Sequence, residues 1–469
     1  MIDAALRGEL DERRARRLAE LGSEVVALAL AAASRRIAEL MSTSSGGDRS
    51  LSTPSGMIPI YAKPVVSKRR GRPGAKVGHV GARRARPTRI DRRVTHRLKC
   101  CPHCRGRLQR CHRSRTRIIE DIPAHIQPVV TEHTIQRDYC PTCKKHVEPV
   151  VCEAMPQAAI GHRVVSLTGW FHYGLGLTID QIVVLLGYHL QTRLTPGGLV
   201  DAWQRLAEVL KPWYDEIGAQ AKTSSHLHAD ETGWRVEGQT HWLWCFANHQ
   251  VCYYMIDRCR GSPALQKFFT AAFEGVLITD FWSAYGSVLA EDRQYCLVHL
   301  LRELEEVDER NATAAWQSFA RRLRRLLRAG IKLRKRPDFR PGRWQDDVNR
   351  LNARLARLAS EDYDDADARR LANRLHKHVE HIFTFLDYAD VPFENNFAER
   401  QIRPAVIIRK NSLCNRSDRG ARTQALLMSI FRTLKLRGLD PTPTITEALR
   451  TYLTSGTLPQ LPSAHIAGG

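Results

Sequence analysis

The chain has 469 residues, 43% of them apolar, and 72 Lys and Arg against 49 Asp and Glu, a formal net charge of +23. At roughly 100–200 residues per domain this allows two to four domains. So basic a chain excludes a generic acidic metabolic enzyme and points to a polyanionic partner, nucleic acid first.

Residues 1–41 read as an N-terminal helix, with Leu18, Leu21, Val25, Leu28 and Ala32 at alternating spacings of three and four. That seam suits a dimerisation helix or a simple packing helix. The apolar run Val25–Ala33 is far below the about 20 residues that cross a bilayer. The charged first turns do not read as a secretory leader, so a cytoplasmic, reducing setting is expected, with paired cysteines serving metal.

Residues 42–99 read as a flexible basic linker. The first part is rich in Ser, Thr, Gly and Pro. The second carries Arg69, Arg70, Arg72, Arg83 and Arg84 with Asp91 the only acid over 65–99. Its Gly and Pro residues prevent a regular helix, and such a run suits sequence-independent phosphate contacts. Residues 100–150 hold Cys101-Pro-His-Cys104 and Cys140-Pro-Thr-Cys143, two C-x-x-C knuckles with strand-like text between them. Four thiolates suit a structural zinc ion in a zinc ribbon. Cys100, Cys111, His103 and His112 lie near enough to substitute.

Residues 155–217 carry helical periods at about 162–175, 178–187 and 196–217. A helix-turn-helix that binds DNA fits this spacing, and so does plain helix packing. From 224 the text turns to strands, in SSHLHAD, HWLWCFAN and VCYYMI. A helix over Ser262–Phe273 and the strands GVLITD and QYCLVH follow. A charged helical region covers about 300–385 and includes Arg321, Arg322, Arg324, Arg325 and Arg328 on a basic helix. Helical text resumes over 392–437, and 438–469 reads as a last helix and tail.

Phosphodiester chemistry needs carboxylates that hold divalent metal on rigid elements. Asp230 ends the strand text of HLHAD, Asp280 ends GVLITD, and Glu399 lies on helical text in FENNFAERQIRP, followed by Arg400, Arg403 and Arg409. Two aspartates on neighbouring strands with a glutamate on a later helix would form one acidic cluster, repulsive without a cation.

These stretches, HADETGW, ITDFWSAY and ENNFAERQIRPAVIIRKNSLCNRSDRGA, together with the knuckles and the tail PTPTITEALRTYL, resemble the transposases of the insertion-sequence-sixty-six (IS sixty-six) family over about residues 68–455. The resemblance implies DDE chemistry on a ribonuclease-H-like mixed-sheet core over 224–437, with a helical insertion. The expected fold is therefore a multidomain α+β and α/β protein: N-terminal helix, zinc ribbon, helix-turn-helix-like region and catalytic core. The resemblance implies that Asp230, Asp280 and Glu399 are catalytic and bind Mg²⁺ or Mn²⁺. Glu394, where the family often has Asp, is the weaker contender. The Arg residues after Glu399 are expected to face phosphate. Cys296-Leu-Val-His299 resembles a recurrent family feature, or is a packed Cys and a capping His. Trp234 and Trp282 suit core packing better than base stacking. The implied partners are element-end and target DNA, further copies of the chain, and small accessory proteins. Two rival readings remain: a catalytically silent DNA-binding protein and a ribonuclease-H-like nuclease.

Overall fold

The computed structural model describes residues 87–109, 115–123, 126–336 and 341–464. The expected N-terminal helix and Arg69, Arg70, Arg72, Arg83 and Arg84 lie outside the described residues, as do Cys111 and His112.

The knuckle region forms one short hairpin, β1 (Asp138–Cys140) and β2 (Lys145–Val147), paired antiparallel. No strand occurs among the described residues of 100–137, where strand-like text stood. Ile119, Ile122, Val129 and Val130 are exposed there, so their β propensity has no neighbouring strand to pack on.

Next come α1 (His162–Gly169), a π-helical turn (Trp170–Gly174), α2 (Ile179–His189) and α3 (Pro196–Lys222). Thr178 caps α2 in a capping box with Gln181, and Thr195 caps α3. Along α3, Trp203, Leu206, Leu210, Trp213 and Ile217 fall on one stripe and are buried.

The sheet is built from β3 (His226–Val236), β4 (Gln239–Ala247), β5 (Cys252–Asp257), β6 (Phe273–Thr279) and β7 (Ala290–Tyr295) in the order β5-β4-β3-β6-β7. The first three strands pair antiparallel, and β6 and β7 run parallel to β3. Glu237 and Gly238, with φ of +52° and +74°, make the tight turn between β3 and β4. Gly275 lies at an irregularity in the β6–β7 pairing. A Cβ there would sit 2.6 Å from the Ser224 carbonyl oxygen, so only glycine fits.

The helix α4 (Ser262–Phe268) ends five residues earlier than its text suggested. Phe268 and Phe269 both pack on Phe246, and Phe269 leaves helical geometry to do so. The text QYCLVH splits between strand and helix, because Cys296 is the N-cap of α5 (Leu297–Asp308). The insertion continues as α6 (Ala314–Arg334), α7 (Pro341–Ser360) and α8 (Ala366–Lys377). It returns to the sheet through α9 (Asn396–Ser412), α10 (Asp418–Leu436) and α11 (Pro441–Ser455).

Strand β6 divides two cores. Phe273 and Leu277 join α1–α4 and α9–α11 in one cluster, while Val276 and Ile278 join the insertion helices in another. The alternation of side chains along a strand makes this division. The helices of 155–217 thus share a core with β3–β5, and the insertion packs its own core on the opposite face of β6. This mixed α/β arrangement fits the core that the resemblance implies.

The edge strand β5 is covered by α10. The Tyr254 N–H donates to Ser429 Oγ at 2.8 Å and the Cys252 N–H to Thr433 Oγ1 at 3.1 Å. Two strand residues rise about 6.7 Å and four helical residues about 6 Å, so an i, i+4 pair of hydroxyls matches alternate strand amides. Among the described residues no helix is long and apolar enough to cross a membrane.

Candidate active site

The pairing of β3 with β6 sets His226 opposite Val276 and His228 opposite Ile278. The same register, carried two residues on, sets Asp230 level with Asp280. Asp280 follows β6 directly, and its Oδ1 accepts the Trp282 N–H at 2.9 Å. Glu399 lies in the first turn of α9.

Asn395 binds that helix to the sheet. Its side-chain N–H donates to the Ala229 carbonyl at 2.8 Å, and its Oδ1 accepts from His228 Nδ1 at 2.9 Å. Its own backbone N–H donates to Cys296 Sγ at 3.1 Å. Asn395 therefore joins β3, the start of α5 and α9, four residues before Glu399. His228 and Asp230 share a face of β3, so this clasp seats the α9 helix over the aspartates. Burial pushes His228 down to about 4, which keeps it neutral and able to hold this tautomer.

His299, in the first turn of α5, brings Nε2 to 3.4 Å from Glu399 Oε1. Burial holds His299 below its ordinary value, although Glu399 pulls it the other way.

The three carboxylates feel one another. Burial raises Asp230 well above its ordinary range, and Glu231, Asp280 and Glu399 push it further. Burial and then Glu231 raise Asp280 to about 7, with Glu399 adding and the Trp282 amide and Arg260 opposing. Among the described residues neither aspartate has a cationic side chain within 4 Å, and Glu399 Oε1 is buried without a hydrogen-bond partner. Each acid keeps part of its surface open to solvent within dense packing. A buried carboxylate oxygen with no hydrogen bond, facing the His299 ring at 3.4 Å, near two aspartates without ion pairs fits a divalent cation bound through oxygen. The side chains are not drawn into a finished cage: among the described residues no three His, Cys, Asp or Glu side chains close on one point.

Glu231 and its partners carried no part in the sequence reading. Glu231 is 2% exposed. Its Oε1 accepts from Arg260 Nε at 3.1 Å and Nη2 at 3.0 Å, and its Oε2 accepts from the Tyr285 hydroxyl at 2.5 Å. The Arg260 guanidinium lies 3.9 Å from the Trp282 ring and 4.5 Å from that of Trp242. Trp282 thus stacks on Arg260 while its amide holds Asp280. The group braces the loop after β6 from behind the acids. The only sequence signal was an acid directly after Asp230.

The remaining expectations divide. Arg400 and Arg403 are exposed on α9, within a turn or so of Glu399. Arg409 turns inward and departs from the expected phosphate contact: its guanidinium donates to Thr232 Oγ1 at 3.0 Å and to the Gly233 carbonyl at 2.5 Å. Glu394 precedes α9 and accepts from the Asn396 side chain. Trp234 is core, 1% exposed, with its indole N–H on Asn415 Oδ1. In each knuckle the backbone turns its amides to the first sulfur, from Cys104 and His103 to Cys101 and from Cys143 and Thr142 to Cys140, and both thiols are lowered. Both knuckle turns are formed, but the four thiols are not gathered into one tetrahedral set among the described residues.

The sequence pattern described as the transposase IS66 family matches residues 158–423, more than half of the chain and all three acids. Two relatives come from Sinorhizobium fredii. The uncharacterized protein y4jD is 24% identical over 408 residues, 79% of this chain and 78% of its own. The uncharacterized protein y4qI is 26% identical over 266 residues, 50% of this chain and 49% of its own. The family match falls on the sheet, the insertion and the helix that carry the acid cluster, and the chain belongs to the IS66 transposase family.

Proposed function

We propose that the chain is a DDE transposase that binds the ends of its element, cleaves a strand there and joins the freed 3′-hydroxyl to target DNA. The observation that carries this reading is that Asp280 and Glu399 lie close enough to Asp230 to raise its carboxyl further, with neither aspartate in an ion pair and Glu399 Oε1 buried without a hydrogen bond. These residues would hold Mg²⁺ or Mn²⁺. When bound, divalent ions polarise a phosphodiester and favour the deprotonated form of an attacking hydroxyl. Asp230 and Asp280 supply fixed negative charge from two strands. Glu399 supplies it from a helix that the Asn395 clasp keeps in place. His299, with its Nε2 3.4 Å from Glu399 Oε1, is placed to hold that carboxylate once the site closes. Arg400 and Arg403 are set to hold the phosphates that flank the scissile bond. No Ser or Tyr nucleophile is required, since water and then a DNA hydroxyl attack directly.

The deciding experiment incubates the purified chain with DNA carrying the element's ends, target DNA and Mg²⁺. Joined products are the expected result. Cleavage without joining would leave a ribonuclease-H-like nuclease, and binding without cleavage a silent DNA-binding protein. Further copies of the chain and accessory proteins belong to the same proposal.

The raised carboxyls give a pH dependence with a definite sign. Asp280 ordinarily titrates at 3.8 and here near 7, so the fold binds protons more tightly than the unfolded chain. This contribution is fully present below 3.8 and is lost as pH rises through about 7. Metal must displace the remaining protons. Thermal melts should therefore show Mg²⁺ stabilising the chain more at pH 8 than at pH 5.5. An equal shift at both values would count against metal at these acids.

The knuckles are proposed as a zinc site made by Cys101, Cys104, Cys140 and Cys143. About one zinc per chain is expected by atomic emission, falling sharply in Cys140→Ser. Full zinc retention in that variant would send the site to the neighbouring Cys and His residues.

A further inference from the structure

The insertion helix α6 carries seven basic residues and no acid. Three of them have structural partners: Arg322 pairs with Glu361, Arg324 with Asp308, and Arg334 donates to the Ala389 carbonyl. The other four, Arg321, Arg325, Arg328 and Lys332, are exposed, and the ion pairs of this helix among the described residues are those of Arg322 and Arg324. Their spacing of four, three and four places them on one face. The opposite face, with Trp316, Phe319, Leu323 and Leu327, is buried in the insertion's core. Neighbours at these spacings repel when they carry like charge. The four cations also line a hollow of about 650 Å³, whose one acid, Asp308, is already held by Arg324 and by the Trp316 indole N–H. A surface that concentrates unrelieved positive charge around a neutralised carboxylate is built for a polyanion.

We infer that Arg321, Arg325, Arg328 and Lys332 form a stripe that binds the phosphate backbone of duplex DNA at a place separate from the acid cluster. The inference rests on the reading of the chain as a DNA-processing protein. Eleven residues of helix separate the first cation from the last, about 16 Å at 1.5 Å per residue, which spans about five base pairs of backbone. The separation from the acids follows from α5. His299 beside Glu399 and Asp308 beside Arg324 are nine residues apart on that helix, two and a half turns at about 3.6 residues each, and so on opposite faces. The stripe therefore holds a stretch of duplex other than the one being cut. No base edge need be read, so binding there is indifferent to sequence.

The test measures the affinity of the full chain for duplex DNA of arbitrary sequence against salt concentration. Changing all four residues to Gln should flatten the slope of log K against log salt by about 3 to 4. Between 50 and 200 mM salt the unaltered chain should lose about 150-fold more affinity than the variant. Changing the three arginines of the stripe to Lys keeps the charge and should keep the slope. Arg322→Gln, which removes a paired cation, should leave it unchanged. An unaltered slope in the Gln variant, with an unaltered melt, overturns the stripe. A slope that falls equally in Arg322→Gln also overturns it, since net charge alone would then explain the effect. If the Gln variant loses affinity for single-stranded RNA but not for duplex DNA, the partner is misassigned. Because the titration reads binding alone, loss of joining activity would not explain any of these outcomes, and an unchanged slope leaves the acid cluster's assignment standing.

Discussion

Asp280→Asn should reduce strand cleavage and joining by about 10³-fold or more while leaving affinity for duplex DNA within about twofold. Asn keeps the oxygen that accepts the Trp282 N–H at 2.9 Å, so the loop after β6 stays where it is. What it loses is the charge. About 4 kcal/mol of transition-state stabilisation corresponds to a factor of about 10³, within the several kcal/mol that metal-held charge supplies. The same change removes a repulsive neighbour of Asp230. The metal-free variant should therefore melt higher than the unaltered chain at pH 8 and should gain less from added Mg²⁺. Loss of activity together with a lower melting point would indicate simple misfolding. Cleavage that survives at the original rate would remove Asp280 from the active site.

Glu231→Ala should destabilise the sheet core by about 3 kcal/mol, because it removes the buried carboxylate to which the half-buried Arg260 guanidinium, stacked on two indoles, makes two hydrogen bonds. The Tyr285 hydroxyl loses its acceptor in the same step. Removing both charges, in Glu231→Leu with Arg260→Met, should cost less than the single change, since the two partners of the ion pair leave together. Urea denaturation of the three proteins reads the difference. The brace has no place in the fold's stability if Glu231→Ala unfolds at the same urea concentration as the unaltered chain. The brace also has a catalytic readout: through Trp282 it holds the Asp280 loop, so a folded Glu231→Gln should lower the joining rate more than it lowers DNA affinity.

The acids were legible in the sequence because their signal is local. Asp230 and Asp280 each end a run of apolar alternation; Asp280 does follow its strand, Phe273–Thr279, but Asp230 lies inside its own, which runs on to Val236 because residues 231–236 pair with β4. Glu399 was legible as the acid on a helical run. What the sequence does not carry is the second layer. Arg260 lies 29 residues from Glu231 and Asn395 lies 167 from His228, and no periodicity links such pairs. Arg409 looked like another exposed cation after Glu399, yet its partners lie on β3, 176 and 177 residues away. Local propensity also failed where tertiary partners decide. Ile119, Ile122, Val129 and Val130 read as strand and have no neighbour to pair with. Phe269 reads as helix and leaves it to pack on Phe246, just after Phe268 ends the helix.

The cover on β5 has a consequence for how the chain is made. Ser429 lies 175 residues after Tyr254, and Thr433 lies 181 after Cys252. At about 5–20 residues per second, a ribosome needs on the order of 10–30 s to deliver the hydroxyls that close the edge. During that interval the growing chain presents open strand amides to its neighbours on the same message. A chain that terminates before residue 418 never receives α10 at all, so truncated copies of the gene should yield aggregates rather than soluble fragments.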